Sequence, residues 1–263
     1  MTGGKDRALS LLGFLGPIVV VVAVWQLVVS LGVMDASAVS SPARIARAIR
    51  DLLTPEPLLL ENLGVSLYRL LTGYVLGCLS GVALGFLMGC RRHIHLALHP
   101  IVSVLMAVPS ICWVPVLLIT IGMGDATIMI AVFLDCVFPV AYSTLSGVKA
   151  VNKDLVRASQ GLGARGARTL LHVLLPGSLP SIITSLRLAA GYSWRALVGA
   201  EMLAAAASGI GFMIYAARAF YDVDVMFVGL AIISLGGLVM DHLILGSVER
   251  RTVQKWGVLK KTW

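Results

Sequence analysis

Long runs without a single Asp, Glu, Lys or Arg residue constrain the fold of this chain more than any other feature. The first run covers residues 8–34, and a helix needs about 20 apolar residues to cross the hydrocarbon core of a bilayer. Apolar residues make up 58% of the chain and charged residues 13%, whereas soluble domains average about 45–50% and about 25%. These features exclude a water-soluble enzyme, a disordered chain and a nucleic-acid-binding protein, and they predict an integral membrane protein.

The charge-poor runs predict an all-α polytopic membrane protein with about six transmembrane helices in one domain, residues 1–263. The predicted spans are Ala8–Met34, Leu70–Cys90, Ile94–Gly124, Ala126–Val148, Thr169–Ala206 and Val225–Val248. We interpret the first run as a retained helix, because it is too long for a signal-peptide core and lacks a small-residue cleavage site. The four Cys residues lie in apolar runs without Cys-x-x-Cys spacing, so no metal site is predicted.

The distribution of basic residues predicts the orientation of the spans. The net charge is +8, and loops on the cytoplasmic side of a membrane carry an excess of Lys and Arg. Placing both termini in the cytoplasm puts most of the 21 Lys and Arg residues on that side. The sequence therefore predicts a multi-pass protein of the cell inner membrane with both termini cytoplasmic.

The extracytoplasmic segment 35–62 is too long for a simple turn. It contains Ala43–Leu53, where Ile45, Ile49, Leu52 and Leu53 share one face and the Arg side chains lie off it. This pattern predicts a short amphipathic helix on the membrane surface. The following Thr54-Pro-Glu-Pro57 ends that helix, because proline cannot continue it. Residues 63–250 are then the predicted core of the domain.

A cytoplasmic loop, residues 151–168, separates the fourth and fifth predicted spans. Asp154 is a suitable cap for a short helix, and Gly161 and Gly163 are expected to end it. A second short helix is expected from about Ala164 to Pro176. Two short helices with small residues and glycines form a compact knob that fits a groove in another protein. The alternative is a solvated linker, although a linker does not require leucines spaced among glycines.

The knob resembles the EAA loop of ABC importer permeases. Ala158, Gly163 and Leu175-Pro176 match that pattern, whereas Arg157 stands where the pattern has Glu and Ser159 where it has its second Ala. The resemblance extends to the permease branch for nitrate, taurine, aliphatic sulfonates and bicarbonate. The landmarks, in order, are Ser41-Pro42, Asn62–Arg69, Val108–Pro115, Gly122–Asp125, Leu175–Pro180, Leu186-Arg187, Trp194, Ala200-Glu201, Gly209–Gly211 and Asp224.

This resemblance implies a type I ABC importer permease core with a cytoplasmic coupling helix, which is not itself an enzyme. It implies that a second copy of the chain completes the pore, that two ATPase subunits carry ATP and Mg, and that an extracytoplasmic binding protein delivers the solute. The sequence has no Gly-x-x-x-x-Gly-Lys-[Ser/Thr] phosphate loop, and we expect no cofactor or nucleic acid on this chain, only membrane lipid. The resemblance assigns ATPase coupling to Arg157, Ala158, Ser159, Gly161, Leu162, Gly163, Ala164 and Pro176. Branch likeness favours a small oxyanion, first a sulfonate or taurine, and otherwise nitrate or a similar solute.

Charged residues inside spans are candidates for the translocation pathway, because each costs at least about 2.5–3.5 kcal/mol at a helix centre. Arg187 or Arg195 offers positive charge to an anion, or it anchors a helix by snorkelling or by bonding to carbonyl groups. Pro109 and Pro115 are expected to break the third span near its outer side, and broken helices can line a cavity. The complete candidate set is Ser110, Trp113, Asp135, Arg187, Trp194, Arg195 and Glu201.

Two other patterns have structural interpretations. The glycines Gly73, Gly77, Gly81, Gly85 and Gly89 recur every four residues, a small-residue stripe that predicts tight helix packing. His93, His95 and His99 follow Arg91-Arg92 at a membrane boundary, which favours interface histidines over metal ligands. A self-sufficient secondary transporter and an intramembrane enzyme are the rival functions. The first predicts an inverted internal repeat and the second a convergent set of catalytic side chains, and neither pattern is found in the sequence.

Overall fold

A computed structural model describes residues 3–32, 37–54 and 57–240, with side chains from residue 16 onward except residue 18. All secondary structure in these ranges is helical. The helices are α1 (Gly3–Ser30), α2 (Pro42–Asp51), α3 (Leu58–Cys90), α4 (Arg92–Met106), a 3-10 turn (Ser110–Trp113), α5 (Val114–Thr120), α6 (Asp125–Ala150), α7 (Lys153–Gly161), α8 (Ala167–Thr169), a π-helical turn (Leu170–Leu174), α9 (Leu175–Ala204), α10 (Ile210–Ala219) and α11 (Val223–Val239).

Three helices in the described residues are long and apolar enough to cross a membrane, namely Leu58–Cys90, Asp125–Ala150 and the continuous helix Ala167–Ala204. The predicted third span is bent by 93° between Arg92–Met106 and Ser110–Thr120, which confirms the break at Pro109. Counted as one broken span, this pair gives a fourth. The first and last predicted spans, 8–34 and 225–248, extend outside the described residues, so the count of six stays a prediction.

Helix α3 begins at Leu58, twelve residues before the predicted start of the second span at Leu70. The sequence-based boundary was wrong because Arg69 and Glu61 were treated as breaks in the apolar run. Glu61 lies exposed in the first turn of the helix, where a carboxylate favours the positive end of the helix dipole. Arg69 is 3% exposed and has acidic partners, so the helix continues through it.

The glycine stripe of α3 lies directly against α6, as predicted. A Cβ atom added at Gly77 would lie 2.6 Å from Cys136 Cβ, and one added at Gly81 would lie 2.7 Å from the Val137 carbonyl oxygen. Both distances are too short for any larger residue. The stripe therefore sets the close approach of the two helices, and α9 packs against α6 and also contacts α3 to complete the core of three long helices.

The 151–168 loop differs from the prediction in two local features. The cap of α7 is Asn152, whose side chain accepts a hydrogen bond from the Asp154 N–H at 2.8 Å, rather than Asp154 itself. The expected second short helix from Ala164 to Pro176 was wrong: the chain enters a helix at Ala167 and continues past Pro176 to Ala204. Pro176 stands in the first turn of α9, directly after the π-helical turn, where a missing N–H is tolerated.

At the opposite end of the bundle, α10 and α11 pack on α9, and α2 packs on α11. Helix α2 starts where Ser41 Oγ accepts from the Arg44 N–H at 3.3 Å, and Ile45 on its apolar face is buried. The guanidinium of Arg44 lies 3.0 Å from the Asp224 carboxylate of α11. The amphipathic helix is thus fixed to the bundle by both an apolar face and an ion pair.

Candidate translocation cavity, polar clamp and exposed loop

Three of the predicted pathway residues meet at one open cavity. Ser110 of the 3-10 turn, Asp135 of α6 and Arg195 of α9 line a cavity of about 340 Å³, together with Pro109, Ile111, Tyr192 and Ala196. Ser110 is buried, Asp135 is half-buried and Arg195 is exposed. The bend of the broken span brings Ser110 to this place, because Pro109 turns the chain between the two halves of the span.

Asp135 and Arg195 lie at the same depth in the bundle. Asp135 is ten residues into α6 from Asp125, about 15 Å at 1.5 Å per residue, and Arg195 is nine residues before the end of α9 at Ala204, about 14 Å. The Gly124 N–H donates to the Ala204 carbonyl oxygen at 2.9 Å, so these helix ends are level. Both residues therefore lie about 14–15 Å from the same end of the bundle, well inside membrane-length helices.

Arg195 and Tyr192 form a local unit on α9. The Arg195 guanidinium carbon lies 5.2 Å from the centre of the Tyr192 ring, a cation–π distance, and its Nε donates to the Gly191 carbonyl oxygen at 3.2 Å. Residues three apart share one helix face. This spacing was the sequence signal that could have added Tyr192 to the candidates.

Glu201 lies in a different place, in a group of polar side chains that we call the clamp. Its members are Asn62, Ser66 and Arg69 of α3, Asp125 of α6 and Glu201 of α9, all buried except Asp125. Glu201 is 1% exposed, and its Oε1 accepts from Arg69 Nη1 at 2.9 Å. Ser66 Oγ donates to the same carboxylate at 2.8 Å. Arg69 also contacts Asp125 at 2.7 Å and donates to the Ser208 carbonyl oxygen at 2.7 Å.

The clamp also caps α10. The N–H groups of Gly209, Ile210 and Gly211 donate to Asn62 Oδ1, Ser66 Oγ and Glu201 Oε2 at 2.7, 2.9 and 2.9 Å. These are donors that a helix leaves unpaired at its start. Gly209 has a φ of +127°, and a Cβ there would lie 2.6 Å from Glu201 Oε1. The two glycines of the Gly-Ile-Gly motif therefore leave the space that the Glu201 side chain occupies.

The remaining pathway candidates lie outside the cavity. Trp194 is 3% exposed, and its Nε1 donates to the Ile233 carbonyl oxygen of α11 at 2.8 Å, so it packs α9 against α11. Trp113 and Arg187 are half-buried and are not among the residues that line the cavity. The structure thus brings together Ser110, Asp135 and Arg195 from the candidate set, and it shows a pair between α3 and α9, Glu201 with Arg69, that the sequence reasoning did not foresee.

The predicted coupling residues form an exposed turn at the far end of the bundle. The side chain of Leu162 is 91% exposed and that of Leu155 60%. Helix α7 ends at Gly161, and Gly163 adopts a φ of +88°, as expected of a glycine that ends a helix. Arg157 and Ala158 are exposed, Ser159 and Ala164 are half-buried, and Pro176 lies in the following helix.

A bundle of membrane-length apolar helices, with charged side chains at a mid-depth cavity and an exposed apolar turn at one end, is the architecture of a membrane transport subunit. Residues 81–253 match the family of binding-protein-dependent transport system inner membrane components. The chain belongs to this family. Within it, the chain belongs to the ABC importer permeases of the nitrate, taurine, aliphatic sulfonate and bicarbonate branch.

Two relatives illustrate the similarity. The taurine transport system permease protein TauC of Escherichia coli is 32% identical over 241 residues, which cover 90% of this chain and 87% of TauC. The bicarbonate transport system permease protein CmpB of Synechococcus elongatus is 31% identical over 182 residues, 68% of this chain and 64% of CmpB.

The fold also matches a solved structure. A chain of the MetNI methionine ABC transporter, in an inward-facing conformation, superposes with a TM-score of 0.65 at 17% identity and covers 74% of this chain and 96% of its own length. An identity this low establishes the fold alone. The shared fold is the all-helical type I ABC importer permease fold that the resemblance in the sequence implied.

Proposed function

We propose that this chain is the pore-forming subunit of an ATP-driven importer for a small oxyanion-type solute, with a sulfonate or taurine as the first candidate. The observation that carries this proposal is Arg195, an exposed guanidinium about 14 Å along a membrane-length helix at an open cavity. A charge at this depth is costly against lipid. A second copy of the chain that covers this face would place the cavity at a pore between the copies.

The direction and the source of energy follow from the two ends of the bundle. We place the 151–168 loop and both termini in the cytoplasm, and the clamp and α2 on the outer side, where an extracytoplasmic binding protein delivers the solute. Separate ATPase subunits bind ATP and Mg. Leu162 supports this arrangement, because an apolar side chain that is 91% exposed at a turn in water is suited to insertion in a partner's groove.

Purification of the chain from its native membrane, followed by an ATPase assay, tests this proposal. We expect an ATPase to co-purify with the wild-type chain and to be lost on deletion of residues 158–164 and on Leu162→Ser. Phe220→Ser is the matched control, because Phe220 is 83% exposed but lies at the opposite end of the bundle, and this variant should retain the ATPase. A chain that purifies alone and transports without nucleotide would identify the alternative, a self-sufficient secondary transporter.

A further inference from the structure

We propose that the cavity between Asp135 and Arg195 binds a zwitterionic solute, with its ammonium group at Asp135 and its acidic group at Arg195. This inference rests on the proposed function and narrows its solute class. It separates amino sulfonates and similar dipolar molecules from simple anions such as nitrate or an alkane sulfonate.

Transport of a simple anion does not explain the presence of the acidic side chain of Asp135 in this cavity. Its carboxylate is the acidic group in the lining of the cavity, and a negative charge there repels an anion that approaches Arg195. Asp135 interacts with Ser110 and Arg195, yet its Oδ2 atom is buried without a hydrogen-bond partner. A carboxylate inside a membrane-length helix is costly without a cation beside it, and the ammonium group of a solute in the cavity would supply that cation.

Arg195 provides the complementary end. Its Nε is used by the Gly191 carbonyl oxygen at 3.2 Å, and one face of the guanidinium lies over the Tyr192 ring. A guanidinium has five N–H donors in a planar fork, so donors remain for the oxygens of a sulfonate or carboxylate. Such charge-assisted pairs are about twice as strong as neutral hydrogen bonds.

The spacing of the two charges favours a solute between them over a direct bond. Among the ion pairs of the described residues, none within 4 Å joins Asp135 to Arg195, although both line the same cavity of about 340 Å³. Two opposite charges that line one open cavity match a short molecule with a charge at each end. Without such a solute, neither Asp135 nor Arg195 has an ion-pair partner within 4 Å among the described residues, at a depth where each charge is costly.

The test measures direct binding to the purified permease–ATPase complex without binding protein, by saturation-transfer NMR. The probes are taurine, ethanesulfonate, which lacks the ammonium group, and ethylamine, which lacks the sulfonate. We expect taurine to bind roughly tenfold or more tightly than ethanesulfonate, the value of one charge-assisted hydrogen bond. Asp135→Asn should abolish this preference, and Asp135→Glu should retain it. Arg195→Gln should weaken the binding of both taurine and ethanesulfonate.

Arg218→Gln is the matched control. Arg218 lies 6.0 Å from the Tyr215 ring on α10, the same Arg-over-Tyr arrangement three residues apart, but in a different cavity. Its replacement should leave all three affinities unchanged. Equal binding of taurine and ethanesulfonate to the wild-type complex, or a taurine preference that survives Asp135→Asn, would overturn the proposal. Failure of the proposed function shows separately, as a complex without ATPase or without ATP-dependent transport in vesicles.

Discussion

Arg69 Nη1 and Glu201 Oε1 lie 2.9 Å apart in the interior of the bundle, and this ion pair joins α3 to α9. Their side chains are 4% and 0% exposed. The same carboxylate accepts the Gly211 N–H at 2.9 Å at the start of α10, and the same guanidinium contacts Asp125 at the start of α6. One charged pair therefore connects α3 and α9 to the first turns of α6 and α10, and Glu201 lies six residues, about 9 Å, from Arg195 along α9.

Glu201→Gln is expected to destabilise the protein strongly. Breaking a buried ion pair costs about 3–5 kcal/mol, and here the variant leaves Arg69 with only its more exposed acidic partner, Asp125. Asp125→Asn is the matched control: it removes the other acidic partner of Arg69, but the Asp125 side chain is 53% exposed and water can replace it. Thermal unfolding in detergent measures both variants, and we expect the larger fall in unfolding midpoint for Glu201→Gln. Equal falls would contradict the assignment of Arg69 and Glu201 as a buried pair.

The glycine stripe gives a second stability prediction. Gly77→Ala should lower the unfolding midpoint, because the added Cβ would lie 2.6 Å from Cys136 Cβ and 2.9 Å from the Phe133 carbonyl oxygen. Overpacking of this kind costs about 1–3 kcal/mol. Gly64→Ala in the same helix has nothing within 4 Å of its added Cβ, so it should be neutral or slightly stabilising by helix propensity. A midpoint that falls equally in both variants would refute close α3–α6 packing.

The stripe also shows which features can be read from the sequence. A period of four in small residues has one structural explanation, and the structure confirms it. The bend at Pro109 is equally local, because it follows from a missing N–H and a fixed φ. These features depend on the residue itself and its immediate neighbours in the chain.

The clamp shows what the sequence could not provide. Arg69 and Glu201 are separated by 132 positions, and nothing in the local pattern of either indicates its partner. Treating each charge as an interruption of an apolar run placed the start of α3 twelve residues too late. The same reasoning placed Glu201 in the pathway group, whereas its oxygens are used by Arg69, Ser66 and the Gly211 N–H. Pairings between distant segments require the tertiary fold.

The contact between Arg44 and Asp224 should contribute little to stability. The two side chains are 34% and 25% exposed, and partly exposed pairs contribute about 0.2–1 kcal/mol. A double-mutant cycle with Arg44→Gln and Asp224→Asn isolates their interaction. We expect a coupling in that range that decreases as salt is added. A coupling well above it would indicate that α2 is held to α11 mainly by charge rather than by the burial of Ile45.

Arg157 gives a prediction about the ATPase rather than about stability. It stands where the EAA pattern has Glu, it is exposed, and its contact with Asp154 is long at 3.4 Å between side chains that are 75% and 82% exposed. Arg157→Glu should therefore leave the unfolding midpoint unchanged. If Arg157 pairs with an acidic residue in the ATPase groove, charge reversal places two like charges together and should release the ATPase on purification. Lys153→Glu is the control for a general change in loop charge, because Lys153 is an exposed cation at the start of the same helix.

A specific role for Arg157 would be eliminated if assembly and transport survive Arg157→Glu. It would also be eliminated if Lys153→Glu abolishes them to the same extent.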